Sequence, residues 1–362
     1  MRVLFANNYN MALARAGWRA GSYPAHHLYG TAGLGPRFPV VDLPLSDTGI
    51  WPKVNGRTRH RLGNLEQQLA AVGKSRPGAV IYGAQAQDLA ALALLRRFHA
   101  LPVPVVGVIH GKSAYGSLAT TAIRGFDHII ALCEMTRQSL IDSGITTTRV
   151  SVLPWGPDLD FSGFRPSLTT DATAGVVATG KTGRDMPMLI RALAATGHPG
   201  RVYGDRGVLG SQTPVPANVD VVPAVAPGGV PGRPFTYDHT LTDLQRAALV
   251  AIPLSERYPL HGLTELADAI GCGKPVIVTR APYFDIDIEA IGCGWWVDPG
   301  DESRWSELLA VAMSDPAHLA AMGRRGREWA SDHWNARLFA EGLAGVLSRT
   351  AGRGQDQRRA ST

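Results

Sequence analysis

Short apolar runs alternate with segments of helical period along most of the chain. Helical patterns at about 26–34, 61–72, 85–99 and 134–142 separate the runs of the first half. Strands alternating with helices of this length are typical of a parallel sheet covered on both faces, so we predict an α/β fold. Between Asn7 and Ala25 we expect a long polar and aromatic loop. The first-half runs are Arg2–Ala6, Pro39–Leu43, Ala79–Tyr82, Pro104–His110, His128–Leu132 and Val150–Pro154.

The same alternation begins again in the second half, after a stretch rich in Pro, Gly, Ser and Thr that has no period. We therefore predict an N-terminal domain over 1–158, a linker over 159–173 and a C-terminal domain over 174–335. A C-terminal helix of about 336–349 follows, and whether it packs back on the first domain stays open. We expect the tail over 350–362 to be disordered.

The segment from Gly262 to Pro275 has the features of a strand–loop–helix–strand unit. Gly262 permits a close approach of the backbone to a ligand, and Thr264 is placed to cap the helix that follows. Free N–H groups at that helix start suit a phosphate. An ordinary β-α-β crossover explains the pattern equally well.

Composition and charge exclude several classes of protein. Apolar residues make up 45% of the 362 residues and charged residues 18%, as in soluble globular proteins. Of the net charge of +6, half comes from the tail that starts at Arg349, where four arginines face one aspartate, so nucleic-acid binding is not indicated. The first strand is too short for a signal peptide and no apolar stretch could span a bilayer, so we expect a cytoplasmic protein. Three scattered cysteines predict neither disulfides nor a zinc site.

Basic residues are also scattered over the first half, where an anionic membrane or a solvated face explains them, and we favour the solvated face. They include Arg57, Arg59, Arg61, Arg96 and Arg97.

No Gly-x-Gly-x-x-Gly follows the first strand, which argues against a dinucleotide site there. No Asp-x-Asp lies between two apolar strands. Asp285-Ile-Asp287 has that spacing, but we interpret it as a connecting turn. The sequence therefore predicts no metal site.

Several motifs in order resemble those of the GT-B glycosyltransferases, and family 4 in particular. The resemblance covers about 2–347 and is greatest at the helix after Gly262. Two departures stand out, since the family usually has Glu at Asp268 and another Glu where this chain has Leu260. The resembling stretches are Gly21-Ser22 with His26, Val105–Gly111, Ile129–Glu134 with Arg137, Val152–Asp158, Gly180–Asp185, Asp298–Asp301 and, around the helix, Gly262, Leu263, Thr264, Asp268, Ala269, Gly273 and Pro275.

The resemblance implies two Rossmann-like parallel-sheet domains facing each other across a cleft. It also implies transfer of a sugar from a nucleoside-diphosphate donor to a small, natural-product-like or lipid-linked acceptor, with retention of the anomeric configuration and without a cofactor or metal. Lys181 and Arg184 would bind the donor diphosphate, and Asp268 the ribose hydroxyls. The full set implied for the donor is Gly21, Gly180, Lys181, Arg184, Gly262, Leu263, Thr264 and Asp268.

The resemblance places His110 near the donor sugar. For the missing family Glu we favour His261 and Glu265, with Glu256 as the alternative. In an inverting enzyme His26 or His110 would be the base. The acceptor is expected against the N-terminal domain, although the aromatic residues there also suit a role in anchoring the loop. The candidate acceptor residues are Asn8, Trp18, Tyr23, His26 and His27.

Two rival functions remain. One is a catalytically silent GT-B subunit that binds a nucleotide or a partner, which the loss of Glu at Leu260 favours. The other is a nucleotide-sugar epimerase or a phosphorylase. The donor base, the sugar, the acceptor and the oligomeric state stay open.

Overall fold

Two six-stranded parallel sheets make up the core of the protein. The computed structural model describes residues 1–111, 121–165, 175–180, 183–204, 214–223, 234–255 and 261–359. Contacts divide the chain into two units. Unit 1 comprises Met1–Arg19, Ala25–Trp155 and Ala336–Thr362, and unit 2 comprises Ala20–Pro24 and Gly156–Asn335.

The sheet of unit 1 has the strand order β2-β1-β3-β4-β5-β6, and all its pairs are parallel. Strands β3, β4 and β5 are buried along their whole length, as expected for strands covered on both faces. The six strands are β1 (Arg2–Ala6), β2 (Val40–Asp42), β3 (Ala79–Gly83), β4 (Val105–Ile109), β5 (His128–Ala131) and β6 (Val150–Val152).

The sheet of unit 2 has the order β12-β11-β10-β7-β8-β9, also parallel throughout. Its order reverses between β7 and β10, and such a switch point is where open α/β sheets bind ligands. The strands are β7 (Val176–Ala178), β8 (Gly200–Tyr203), β9 (Val219–Val222), β10 (Leu249–Ile252), β11 (Val276–Thr279) and β12 (Gly294–Val297).

Helices follow most strands. In unit 1 they are α1 (Met11–Arg19), α2 (Trp51–Thr58), α3 (Leu65–Lys74), α4 (Ala90–Arg97), α5 (Glu134–Asp142) and the C-terminal α12 (Ala336–Arg359). In unit 2 they are α6 (Met186–Thr196), α7 (Asp238–Arg246), α8 (Leu263–Gly271), α9 (Ile288–Ile291), α10 (Glu302–Met313) and α11 (Pro316–His333). Short 3-10 turns lie at Ala25–Leu28, Ala86–Leu89 and Thr147–Arg149.

The predicted α/β class and its two Rossmann-like sheets are confirmed, while three local predictions are wrong. The expected loop after β1 contains α1, whose buried Met11, Ala14 and Gly17 recur every three residues. The helix predicted over 61–72 begins later, as α3 at Leu65–Lys74, and α2 at Trp51–Thr58 was not predicted. The helix expected at about 26–34 is a short 3-10 turn.

A fourth difference concerns the C-terminal tail. Helix α12 continues to Arg359, past the point at 350 where we expected disorder. Its apolar residues Phe339, Leu343 and Leu347 are buried, which anchors the helix at its start. Adding turns to an existing helix needs no new nucleation, so a polar segment can continue it.

Candidate functional site

The first candidate site lies at the switch point of the unit 2 sheet, where the chain leaves β7 and β10. Two backbone hydrogen bonds join these exits: Asp185 N donates to Pro253 O and Ser255 N donates to Gly183 O, both at 2.9 Å. An antiparallel bridge between Arg184 and Leu254 lies between them. Backbone contacts with the segment after β10 therefore fix the position of the turn that carries Arg184.

Arg184 and Glu265 form a buried ion pair at this position. An Nη2 atom of Arg184 lies 2.6 Å from Oε1 of Glu265, and the side chains are only 3% and 14% exposed. The guanidinium packs flat against Gly180, where an added Cβ would lie 2.0 Å from Nε of Arg184. Gly180 is thus required for the guanidinium to lie there, and Glu265 supplies its counter-charge.

Helix α8 begins beside this ion pair. Gly262 is its N-cap residue and has a φ of +92°, a conformation that glycine adopts readily. A Cβ at Gly262 would lie 2.9 Å from Ile252 and 3.1 Å from Leu254, so glycine is needed for space as well. The predicted capping role of Thr264 is wrong, because the helix begins one residue before it and no side chain of the described residues caps it. Within that part of the chain, the first-turn N–H groups are therefore left for another acceptor.

Asp268 is buried on α8, one turn after Glu265. It is 4% exposed, and Tyr237 Oη donates a hydrogen bond of 2.7 Å to its Oδ2 atom. Burial raises the pKa of Asp268 to about 8, the charge of Glu265 adds to the increase, and the Tyr237 hydrogen bond opposes it. Asp268 therefore carries a proton at neutral pH in this state.

Tyr23 belongs to an aromatic cluster in unit 2 with Phe235 and Tyr237. Its ring is 1% exposed and meets both partners edge-on, at centroid distances of 5.5 and 5.8 Å. Ser22 reinforces the contact, because its Oγ donates to Phe235 O and its carbonyl accepts from Tyr237 N, both at 3.0 Å. The burial of Tyr23 favours the anchoring alternative over acceptor stacking.

The second candidate site lies in unit 1, at the carboxyl ends of its strands. His26 and His27 are buried there with their ring centroids 4.2 Å apart, and both face Trp155 edge-on. Burial lowers the pKa of His27 to about 3 and that of His26 well below its ordinary value, with the His27 charge adding to the second effect. Both imidazoles are therefore neutral at physiological pH.

His110 follows β4 at the same edge and is partly exposed. Its Nε2 atom lies 2.8 Å from the carbonyl of Ala84, so Nε2 is the protonated nitrogen and Nδ1 can accept a hydrogen bond. Burial lowers the pKa of His110, although the Ala84 hydrogen bond opposes this. Tyr29, which has a positive φ of 47°, packs against its ring at 5.4 Å.

The other predicted residues are placed as follows. Lys181, Glu256 and Leu260 lie outside the described residues. Gly21 has a φ of +70° with open space around it. Asn8, Trp18, His261 and Thr264 are each partly buried, and Leu263 is buried.

Sequence reasoning missed two residues of the unit 2 site. Tyr237 follows a Pro-rich segment with no period, so nothing in the sequence pairs it with Asp268. Thr179 follows β7, and its Oγ1 atom is buried without a hydrogen-bond partner among the described residues. Its position at the carboxyl end of a strand is the feature by which the sequence could have identified it as a site residue.

Within the described ranges, no group of three or more His, Cys, Asp or Glu side chains is arranged to hold a metal ion. Asp287 of the Asp-x-Asp sequence caps α9 instead, accepting hydrogen bonds from the N–H groups of Glu289 and Ala290. None of the helices in the described part of the chain is long and apolar enough to cross a bilayer.

Comparison with known proteins matches part of the chain to glycosyltransferases. The model of glycosyltransferase family 4 matches residues 8–161. Over 127 residues the chain is 31% identical to a GDP-mannose-dependent alpha-(1-6)-phosphatidylinositol monomannoside mannosyltransferase of Mycolicibacterium smegmatis. That alignment spans 33% of this chain and only 31% of the relative.

Solved structures match over nearly the whole length. HepE of Anabaena, solved in complex with UDP and glucose, has a TM-score of 0.62 at 17% identity, with 96% of this chain and 100% of that chain covered. Sucrose-phosphate synthase of Thermosynechococcus elongatus has a TM-score of 0.64 at 14% identity, with 100% and 99% covered.

These likenesses define the class of the fold, which is GT-B. The chain has the GT-B fold, and its residues 8–161 match glycosyltransferase family 4, in agreement with its motifs.

Proposed function

We propose that the protein transfers a sugar from a nucleoside-diphosphate donor to a small-molecule or lipid-linked acceptor, with retention of the anomeric configuration. The family match and the GT-B fold support sugar transfer. The relatives support two kinds of donor base, since HepE was solved with UDP and the mycobacterial relative depends on GDP-mannose. That relative's phosphatidylinositol substrate supports the lipid-linked acceptor.

One observation carries the proposal: an uncapped helix start and a fixed cation lie together at the switch point of unit 2. Helix α8 begins at Gly262 without a side-chain cap, and Arg184 is held beside its first turn through Glu265. A diphosphate needs N–H donors and a positive charge, and both are present here. Lys181, three residues before Arg184, is proposed as the second cation.

The remaining roles follow from chemistry. Asp268 accepts hydrogen bonds from the ribose hydroxyls once it has lost its proton, and Glu265 with His261 lines the sugar pocket. In a retaining transfer the donor phosphate accepts the proton of the acceptor hydroxyl, so no protein base is needed. Nδ1 of neutral His110 can then accept a hydrogen bond and orient a hydroxyl.

The test is a thermal-stability screen with UDP, GDP, ADP, TDP and CDP. A ligand at about a hundred times its dissociation constant adds roughly 2.7 kcal/mol to the free energy of unfolding. We expect one nucleotide to stabilise the protein and Lys181→Ala to abolish the effect. Arg191→Ala, which changes an exposed cation on α6, is the matched control and should keep it. If no nucleotide stabilises a protein that melts cooperatively, the proposed donor site is wrong.

A second candidate is a silent subunit that binds the nucleotide without turnover. The Arg184–Glu265 ion pair favours it, because a guanidinium only 3% exposed and already paired offers little to a phosphate. To distinguish the transferase from the silent subunit, the protein is incubated with sugar derivatives of the stabilising nucleotide and with candidate acceptors. Product formation with an unchanged anomeric configuration supports the retaining transferase, and stabilisation without product supports the silent subunit.

A further inference from the structure

Helix α3 of unit 1 buries three polar side chains and exposes two apolar ones. Glu66, Gln67 and Gln68 are 5%, 0% and 3% exposed, whereas Leu69 and Val72 are 59% and 45% exposed. The buried side chains have structural uses that explain the inversion. Glu66 accepts from the backbone N–H of Ser46 at 2.9 Å, and the amide of Gln68 bonds to the backbone around it. The apolar side chains are therefore left facing solvent.

Helix α4 continues the exposed apolar surface, because it runs beside α3 in the same direction. Asn64 N donates to Asp88 O at 3.0 Å, and Gln68 Oε1 accepts from Leu92 N at 2.9 Å. A step of four residues along α3 therefore corresponds to a step of four residues along the segment of α4. Continued to the ends of both helices, the same register pairs Val72 with Arg96, in the last turn of α4. On that turn Leu95 is 42% exposed, and Phe98 just after it is 70% exposed. We call Leu69, Val72, Leu95 and Phe98 the α3/α4 patch.

The exposed charges within the α3–α4 segment have one sign. Residues 65–100 are all described, and their exposed charged side chains are Lys74, Arg76 and Arg97. The acidic residues of this stretch, Glu66 and Asp88, are both buried. No salt bridge neutralises the three exposed cations within the described residues. An apolar surface whose own segment exposes only basic charges matches a lipid surface that is apolar beneath and anionic above.

We propose that the α3/α4 patch docks the protein on an anionic lipid membrane. Phe98 and Leu69 enter the boundary between headgroups and acyl chains, while Lys74, Arg76 and Arg97 bind the lipid phosphates. The basic residues alone suggested a solvated face, and it is the exposed apolar side chains that change the interpretation. The proposal concerns unit 1 only and does not depend on sugar transfer.

The test is co-sedimentation of the full chain, without donor or acceptor, with vesicles of phosphatidylcholine that contain about a third phosphatidylglycerol, against vesicles of phosphatidylcholine alone. We expect binding to the anionic vesicles that weakens as salt is added. Leu69→Ser with Phe98→Ser should weaken it by about tenfold or more. Lys74→Gln with Arg76→Gln should also weaken it by about tenfold or more, at roughly fivefold for each charge.

The matched control is Val311→Ser, which removes an equally exposed apolar side chain (57%) from α10 of unit 2 and should leave vesicle binding unchanged. Cooperative melting of each variant shows that it is folded. Three results would overturn the proposal: no binding by the wild type, binding that the patch variants leave intact, or a wild-type dimer in light scattering that the patch variants dissociate while vesicle binding persists. The last result would assign the patch to a second copy of the chain.

Discussion

The carboxyl edges of the two sheets occupy equivalent places in two similar folds but carry different chemistry. In unit 2 the buried groups are an ion pair, Arg184 with Glu265, and the carboxyl group of Asp268. In unit 1 they are the imidazoles of His26 and His27, held neutral by burial. A buried ion pair and a carboxyl group suit a polar ligand, while a neutral aromatic edge suits an uncharged ligand. The fold determines where a binding site lies, and the side chains that follow each strand determine which kind of ligand it suits.

The largest effect is expected for Arg184→Met, which leaves Glu265 buried without its counter-charge. We expect the free energy of unfolding to fall by about 3–4 kcal/mol, measured by urea titration. Arg191→Met is the matched control, because its pair with Glu302 is 54% and 39% exposed and is worth less than about 1 kcal/mol. Equal losses in both variants would show that the Arg184 pair is not buried in solution.

Gly262→Ala tests the helix start of the charged site. A side chain there meets Ile252 and adopts a positive φ, so we expect a loss of about 3 kcal/mol. Gly21→Ala has the same backbone strain in open space and should cost about 1 kcal/mol. If the two losses are the same, the close approach at Gly262 is not a real constraint.

Asp268 predicts how the stability of unit 2 varies with pH. Because its pKa is raised to about 8 from 3.8, the folded state holds a proton that the unfolded state has lost between these values. The contribution of Asp268 to the free energy of unfolding is therefore greatest below about pH 4, and it is lost as the pH rises through 8. Between pH 5 and 7 the loss is about 2–3 kcal/mol. Urea titration at these two pH values should show the loss in the wild type but not in Asp268→Asn. The same dependence of the free energy of unfolding on pH in both proteins would contradict the prediction.

The lowered pKa of His27 predicts the opposite pH dependence of stability in unit 1. Its pKa is lowered from 6.5 to about 3, so the unfolded state takes up a proton first as the pH falls. Stability from this group is complete above about pH 6.5 and falls through the acid range, by about 2 kcal/mol between pH 7 and 5. His27→Gln should remove that fall. Asp88, whose pKa burial raises to about 6, is present in both proteins and cancels in the comparison. An unchanged acid slope would mean that His27 is protonated in the folded state.

The site was predicted less completely than the fold. Gly180, Arg184, Gly262, Glu265 and Asp268 were singled out from motifs, and the structure brings all five to one end of the unit 2 sheet. Their donor and sugar roles remain predictions. The partners of these residues were not foreseen: nothing in the sequence pairs Arg184 with Glu265.

The sequence by itself determined the strands of unit 1 and some of the helices, because the hydrophobic pattern that predicts them is local. Helix α5 begins and ends where the pattern places it, at Glu134–Asp142. Only the tertiary structure decided the order of the strands and hence which loops meet. Tyr237 and Asp268 are 31 residues apart and become partners in the fold. Their contact, and the proton that Asp268 retains, depend on burial between elements that no local pattern encodes.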